Sequence, residues 1–289
     1  MKAETTFSMF QPAADRTLQK TLLLSDPPPP VQDITEKYRP QCFDDVYGQP
    51  AVIERLRAFV ANPYPKGFLF AGDTGSGKSS CALALATELG IDQRTTSISA
   101  GLIRLHAGAI NTNEVSQAFA RLRFAAGGSG WKMIIADEAD TMSSTAKVNW
   151  LSFLEQMPPK SVVVFTSNHD GRFEQRFVDR CIVVPFESRS ELLMDEAQRL
   201  FARIWRAEGL PGEPYAVADL DLVRRGVLSF RRVVSAIEPF VAAHAAGTVY
   251  TPPPRPPVVP VPNVPTPTST PRRKRVSPRC NVRSVTVQA

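Results

Sequence analysis

Residues Gly72-Asp73-Thr74-Gly75-Ser76-Gly77-Lys78-Ser79 fill every fixed position of the pattern G-x-x-x-x-G-K-[ST]. Few stretches of this length restrict a fold as tightly. The glycines let the loop turn so that its backbone N–H groups converge on phosphate oxygens. Lys78 supplies a point charge to β- and γ-phosphates, and the Ser79 hydroxyl is a magnesium ligand. Such a loop works only between a strand and a helix. Phe68–Ala71 reads as the strand, and Ser80–Leu89, closed by Gly90, reads as the helix. The helix N-terminus adds its dipole to the anion site.

Two further strand ends carry polar groups. Met133-Ile134-Ile135-Ala136 runs into Asp137-Glu138, an acidic pair expected on a strand adjacent to the one that bears the phosphate loop. Asp137 suits the hydration shell of Mg²⁺, and Glu138 suits polarising an attacking water. Val162–Phe165 continues through Thr166 and Ser167 to Asn168, placed to position that water or, on a plainer reading, to close a turn. The letters Asp-Glu-Ala-Asp (137–140) also occur in RNA helicases, which need a second recombinase-like domain for which this chain has no room.

Apolar runs at Phe68–Ala71, Met133–Ala136, Val162–Phe165 and Cys181–Val184, with a further run between Ser97 and Leu105, alternate with helical periods. The runs are apolar on both faces, as in a parallel sheet covered on two sides. Past Phe186 the strand signal stops. Glu191–Glu208 has amphipathic helical spacing, Tyr215–Gly226 reads as a second helix, and Ser229–Ala246 reads as a third, kinked or broken at Pro239. The expected plan is a flexible leader over residues 1–31, an α/β nucleotide-binding domain over 32–187, a three-helix lid over 188–247 and a disordered proline-rich basic tail over 248–289.

Composition narrows the function classes. The four cysteines and three histidines are scattered without metal spacing, which fits a reducing cytosol and no zinc site. No apolar run spans a bilayer, and the N-terminus lacks the apolar core of a secretory signal. Of the 26 prolines, 11 lie in Thr251–Ala289, with seven basic residues and no acid. The chain carries +6 overall, so the first 250 residues carry −1 and the basic character belongs to the tail. Within it, Pro271–Val276 could attract DNA phosphates, act as a nuclear import signal, or simply aid solubility. Arg121 and Arg123, on a helix expected over Asn113–Ala126, face either DNA or solvent.

With these motifs in place, the chain resembles an AAA+ ATPase of the clamp-loader family over about Glu36–Gly247. Glu36-Lys37-Tyr38-Arg39-Pro40 and Phe43-Asp44-Asp45-Val46-Tyr47-Gly48-Gln49 are similar to the opening of replication factor C small subunits. Trp150-Leu151-Ser152-Phe153-Leu154-Glu155 is similar to the helix after that family's acidic pair. Phe230-Arg231-Arg232 and Asn168-His169-Asp170-Gly171 are closest to clamp loaders of tailed bacteriophages.

The resemblance implies an AAA+ P-loop fold whose cofactors are ATP and Mg²⁺. Tyr38, Arg39, Pro40 and Val46 would lie over adenine, and residues 72–79 would hold the phosphates. Asn168 would be sensor 1, and Arg180, in Asp179-Arg180-Cys181, an arginine finger acting on a neighbouring subunit. Arg231 would be sensor 2, closing lid on body. Plainer readings make Arg180 a surface residue and Arg231 or Arg232 a solvated helix face. The implied partners are other loader subunits, in a homo- or hetero-oligomer, a sliding clamp and primed DNA. The implied setting is the cytoplasm of a bacterial or phage-infected cell. Three departures stand out. Asp179 replaces the family's serine and is expected to hold Arg180 back. Leu105-His106-Ala107-Gly108-Ala109 replaces a polar segment. Proline-rich sequence follows Gly247 where the family has a helical collar. The alternatives are a mobile-element or DNA-remodelling AAA+ ATPase that recruits another DNA enzyme, and a non-hydrolysing loader adaptor.

Overall fold

The computed structural model describes residues 33–91, 93, 101–106, 112–123, 129–168 and 173–253. The chain divides after Arg255 into two units, and all described residues belong to the first. The expected leader, Ala107–Ala109, the last three residues of the helix expected over 113–126, His169–Gly171 and the tail beyond residue 253 with its basic run lie outside the described residues.

The chain opens with a short helix α1 (Ile34–Lys37), a 3₁₀ turn (Phe43–Asp45) and α2 (Pro50–Ala61). The body continues with β1 (Lys66–Ala71), α3 (Lys78–Glu88), β2 (Leu102–His106), α4 (Thr112–Arg123), β3 (Lys132–Asp137) and α5 (Ser144–Glu155). It ends with β4 (Ser161–Ser167), α6 (Gln175–Val178) and β5 (Cys181–Pro185). The five strands form one parallel sheet in the order β2-β3-β4-β1-β5.

Each central strand feeds two cores, because successive side chains point to opposite faces. Phe68 and Phe70 of β1, Met133 and Ile135 of β3, and Val162 and Val164 of β4 pack with α2 and α3. The intervening Leu69, Ile134, Ala136, Val163 and Phe165 pack with α4 and α5 on the other face. The unbroken apolar runs follow from this two-sided burial. At the β5 edge, Arg55 Nη1 donates to the Val183 carbonyl at 2.7 Å, covering a group that could pair with another strand.

Two expectations need correction. The strands bearing the phosphate loop and the acidic pair are not adjacent, because β4 lies between β1 and β3. The second lid helix, expected over Tyr215–Gly226, is absent. In its place stand a 3₁₀ turn (Val217–Asp219) and a hairpin of β6 (Val223–Arg224) and β7 (Val227–Leu228). Leu220 and Leu222 are buried around exposed Asp221, a two-residue period rather than a helical one. Arg225 and Gly226 both take positive φ, 52° and 78°, the backbone of a tight hairpin turn.

The remaining lid elements are α7 (Ser190–Ala207), α8 (Phe230–Ser235) and α9 (Glu238–Ala245). α7 buries Leu193, Ala197, Leu200, Phe201, Ile204 and Trp205 along one stripe and stops before Gly209 at φ 66°. The expected break at Pro239 is present, with the proline in the first turn of α9 where its missing N–H costs nothing. These helices, β7 and Ile34 share a third apolar core. No helix among the described residues is long and apolar enough to cross a membrane.

Trp150 of α5 is fully buried between Phe119 and Phe165, with ring centroids 4.8 and 4.9 Å away. Its Nε1 has no hydrogen-bond partner among the described residues. An orphan donor costs free energy that a phenylalanine avoids. Trp150→Phe is therefore expected to lose less than about 2 kcal/mol in urea unfolding, against about 3–5 kcal/mol for Trp150→Ala. Equal losses would refute this account of the orphan indole.

Candidate functional site

The C-terminal ends of β1, β3 and β4 converge, as parallel topology requires. The phosphate loop leaves β1 and enters α3 at Lys78. Gly75 and Gly77 take φ 81° and 101°, values that a side chain disfavours. Lys78 is only 7% exposed, and its Nζ donates to the carbonyls of Gly72 at 2.7 Å and Asp73 at 2.8 Å, and to Asn168 Oδ1 at 3.1 Å. Burial pulls its pKa down to about 8. The Asp73, Asp140 and Asp137 charges oppose that drop, while Arg231 adds to it.

Ser79 Oγ donates to Asp137 Oδ1 at 2.7 Å, and Thr166 Oγ1 donates to the same oxygen at 3.0 Å. Thr166 also accepts the Glu138 N–H at 3.1 Å, so β4 sets the carboxylate pair that β3 carries. Glu138 is exposed and takes φ 57°, ψ 41°. A non-glycine residue in that region stores about 1–3 kcal/mol, a strain often found at functional positions. Beside it, Arg104 of β2 reaches Asp137 Oδ2 at 3.5 Å.

These groups face a cavity of about 310 Å³, lined at one end by the phosphate loop and at the other by Tyr38, Arg39, Pro40 and Val46. Arg231 of α8 also lines it. The lid touches the loop directly. Phe230 N donates to the Gly75 carbonyl at 2.9 Å, and a Cβ at Gly75 would lie 1.9 Å from Ser229 Oγ. The linker into the lid is tied to the same loop. Buried Gln49 donates to the carbonyls of Glu187 at 2.8 Å and Ser76 at 3.4 Å and accepts from Glu187 N at 3.0 Å, while Ser188 Oγ bonds Asp73.

The site offers what a nucleoside polyphosphate with Mg²⁺ needs. The Ser79 hydroxyl and the Asp137 carboxylate supply hard oxygen donors. Ser76 Oγ and Arg39 Nε are buried at the cavity wall with no partner among the described residues, as expected of groups that a bound ligand would satisfy. No cysteine among the described residues lines the cavity, and burial pushes the Cys81 and Cys181 thiols up to about 12.

Residues 68–187 match the ATPase family associated with various cellular activities (AAA). The replication factor C small subunit of Natronomonas pharaonis is 31% identical over 172 residues, covering 58% of this chain and 51% of that protein. Replication factor C small subunit 1 of Pyrobaculum arsenaticum is 30% identical over 225 residues, covering 75% of this chain and 66% of that one. The chain belongs to the AAA+ clamp-loader family. It spans about half the length of the curated relatives it first matches. The RuvB Holliday junction branch migration motor of Thermotoga maritima, at 16% identity, shares the fold with a TM-score of 0.57, covering 74% of this chain and 70% of that one.

In this AAA+ chain the sequence-selected Lys78, Ser79, Asp137, Glu138, Asn168 and Arg231 come together around one cavity. Gly72 and Asp73 stand behind it and act through their carbonyls. Arg180 does not line it. The expectation that Asp179 restrains Arg180 is also corrected. Arg180 Nε donates to Glu155 Oε1 at 3.1 Å, a second guanidinium nitrogen bonds the same oxygen, and Nη1 donates to the Arg176 carbonyl at 2.6 Å. Asp179 instead accepts from Gln175 at 2.7 Å. Sequence reasoning overlooked Arg104, Thr166, Ser188 and Ser229. The register Leu105↔Ala136 and His106↔Asp137, which brings the end of β2 beside the acidic pair, was the missing signal for Arg104.

The Lys78 pKa sets a pH dependence. A bound polyphosphate favours the protonated amine, so above about pH 8 binding must take up a proton. ATP affinity is expected to be nearly level to about pH 7.5 and then to fall toward about tenfold per pH unit above about pH 8.5. Lys78→Arg abolishes the slope, because the guanidinium stays charged. Calorimetry in buffers of different ionisation enthalpy reads the proton directly, and no uptake near about pH 8.5 would contradict the assignment.

Proposed function

We propose that the chain is an ATP-hydrolysing clamp-loader subunit that couples the ATP cycle to placing a sliding clamp on primed DNA. The observation that carries the reading is the meeting of Lys78, Ser79, Asp137, Glu138 and Asn168 at three neighbouring strand ends, within a chain similar to replication factor C small subunits. The phosphate loop and Lys78 would bind the β- and γ-phosphates, Lys78 exchanging backbone carbonyls for phosphate oxygens. Ser79 and Asp137 would hold Mg²⁺, which would screen the phosphate charge. Glu138 would take a proton from the attacking water while Asn168 orients it. The γ-phosphorus gains the water oxygen and loses the bridging oxygen to ADP.

Arg180 fits a role in trans, since it stands away from its own cavity. An arginine delivered to the γ-phosphate by a neighbour raises turnover by roughly 10³–10⁵. Arg231 would couple nucleotide to lid through the seam at Gly75.

Steady-state ATPase assays with clamp and primed DNA test this. Lys78→Ala is expected to lose ATP binding, and Glu138→Gln to bind ATP with turnover down about 10²–10⁴-fold. Arg180→Ala and Lys78→Ala proteins, each inactive, should regain activity on mixing. Wild-type turnover in Glu138→Gln would remove the proposed base. Stimulation by plain duplex with no response to clamp would remove the loader assignment while leaving the ATPase.

A further inference from the structure

The phosphate loop accounts for one end of the cavity. The other end is walled largely by residues 33–48, a segment attached to both halves of the unit. Phe43 enters the α2–α3 core, its N–H donates to Glu88 Oε1 at 3.2 Å, and Asp44 pairs with Arg57. Ile34, Tyr38 and Tyr47 pack instead with the lid core. Between these anchors, Tyr38, Arg39, Asp45, Val46 and Tyr47 line the cavity together with Leu200 and Val234. Tyrosine rings and aliphatic side chains, with one charge of each sign from Arg39 and Asp45, suit a flat base rather than a phosphate.

Two polar clamps join this segment to α7. Arg203 Nη2 donates to Asp45 Oδ1 at 2.8 Å, and its guanidinium lies 6.0 Å from the Tyr47 ring centre. Glu208, whose side chain is 12% exposed, accepts from Lys37 Nζ at 2.7 Å and from the Tyr38 hydroxyl at 2.5 Å. Burial opposes ionisation of Glu208 and Asp45. The hydrogen bonds from Lys37 and Tyr38, and from Arg203 and Cys42, outweigh it and hold both carboxyls below their usual range. The cations stay about half exposed, 46% for Lys37 and 50% for Arg203, while the carboxylates they meet are mostly covered. These pairs hold Asp45 and Tyr38, both of which line the cavity.

We propose that Arg203 and Glu208 are positioning residues for the nucleoside end of the ligand, acting through the segment 33–48 that they bind to the lid. The proposal rests on the nucleotide reading above and extends it. Loss of either clamp should loosen the base without disturbing the phosphates.

The test compares Mg-ATP with Mg-tripolyphosphate, which shares the phosphates and lacks the nucleoside. Arg203→Ala and Glu208→Gln are each expected to weaken ATP binding by about three- to tenfold, as for loss of a part-buried charge pair. Tripolyphosphate affinity should stay within about twofold. KM for ATP should rise while kcat at saturation stays within about twofold. The charge swap Asp45→Arg/Arg203→Asp should recover most of the lost ATP affinity, which general damage to the lid would not. Equal weakening of both ligands, or unchanged ATP affinity in both single variants, overturns the proposal and leaves the ATPase standing. A wild-type chain that binds tripolyphosphate as tightly as ATP overturns it too. If wild type binds neither, the nucleotide reading falls with it.

Discussion

An ammonium group that is nearly buried must find oxygen or give up its proton. Lys78 is in that position, and the geometry around it follows from the three oxygens that receive it. Two belong to the loop that precedes it, so the lysine folds the phosphate loop back onto its own helix. The third belongs to Asn168 and ties the loop to β4. The same strand then sends Thr166 to Asp137, which also accepts from Ser79. One chain of polar contacts thus runs from β1 through β4 to β3. β4 takes part as the spacer that sets the distance between the cradle and the carboxylates.

The lid joins this chain at the loop's most crowded point. A methyl group at Gly75 would collide with Ser229, and the Gly75 carbonyl already accepts the first N–H of α8. Gly48 is also confined, since a Cβ there would lie 2.6 Å from Phe230. Loop, lid and N-terminal segment therefore meet around Phe230 with no slack. Gln49 and Ser188 fasten the linker beneath them. A change in what fills the cradle has few ways to be absorbed locally, because packed interiors transmit strain rather than soften it. On the proposed reading, motion of the lid is the route left open.

The sheet was legible to within a residue or two for β1, β3, β4 and β5, because strands buried on both faces announce themselves as apolar runs. The phosphate loop, the acidic pair and Asn168 were legible because they end those runs. Strand order was not, since nothing in a βαβ sequence states which strand lies between two others. The middle lid helix misled for a different reason. Over Tyr215–Gly226 the buried positions Val217, Leu220 and Leu222 fit a helical and an alternating pattern about equally well. Arg225-Gly226 decides between them, yet arginine is an unusual residue for a left-handed turn position. Arg104 escaped because its importance comes from strand register, which the sequence does not display.

The ion pairs divide by place, and the division bears on how the chain would work. Arg203–Asp45 and Lys37–Glu208 bridge segments more than 150 residues apart, and both reinforce the closure of lid over cavity. Arg180–Glu155 reinforces nothing of that kind. It joins the end of α5 to the start of β5 on the body, and both side chains are partly open to water. An exposed pair of this sort contributes about 0–1 kcal/mol. The concentrated charge of a neighbour's γ-phosphate could outbid it several times over. On the proposed reading, Glu155 parks the finger in a defined orientation at little cost to its release. The cavity is built tightly from within one chain, whereas Arg180, which on the proposed reading serves another chain's cavity, sits in a partly exposed ion pair at the surface.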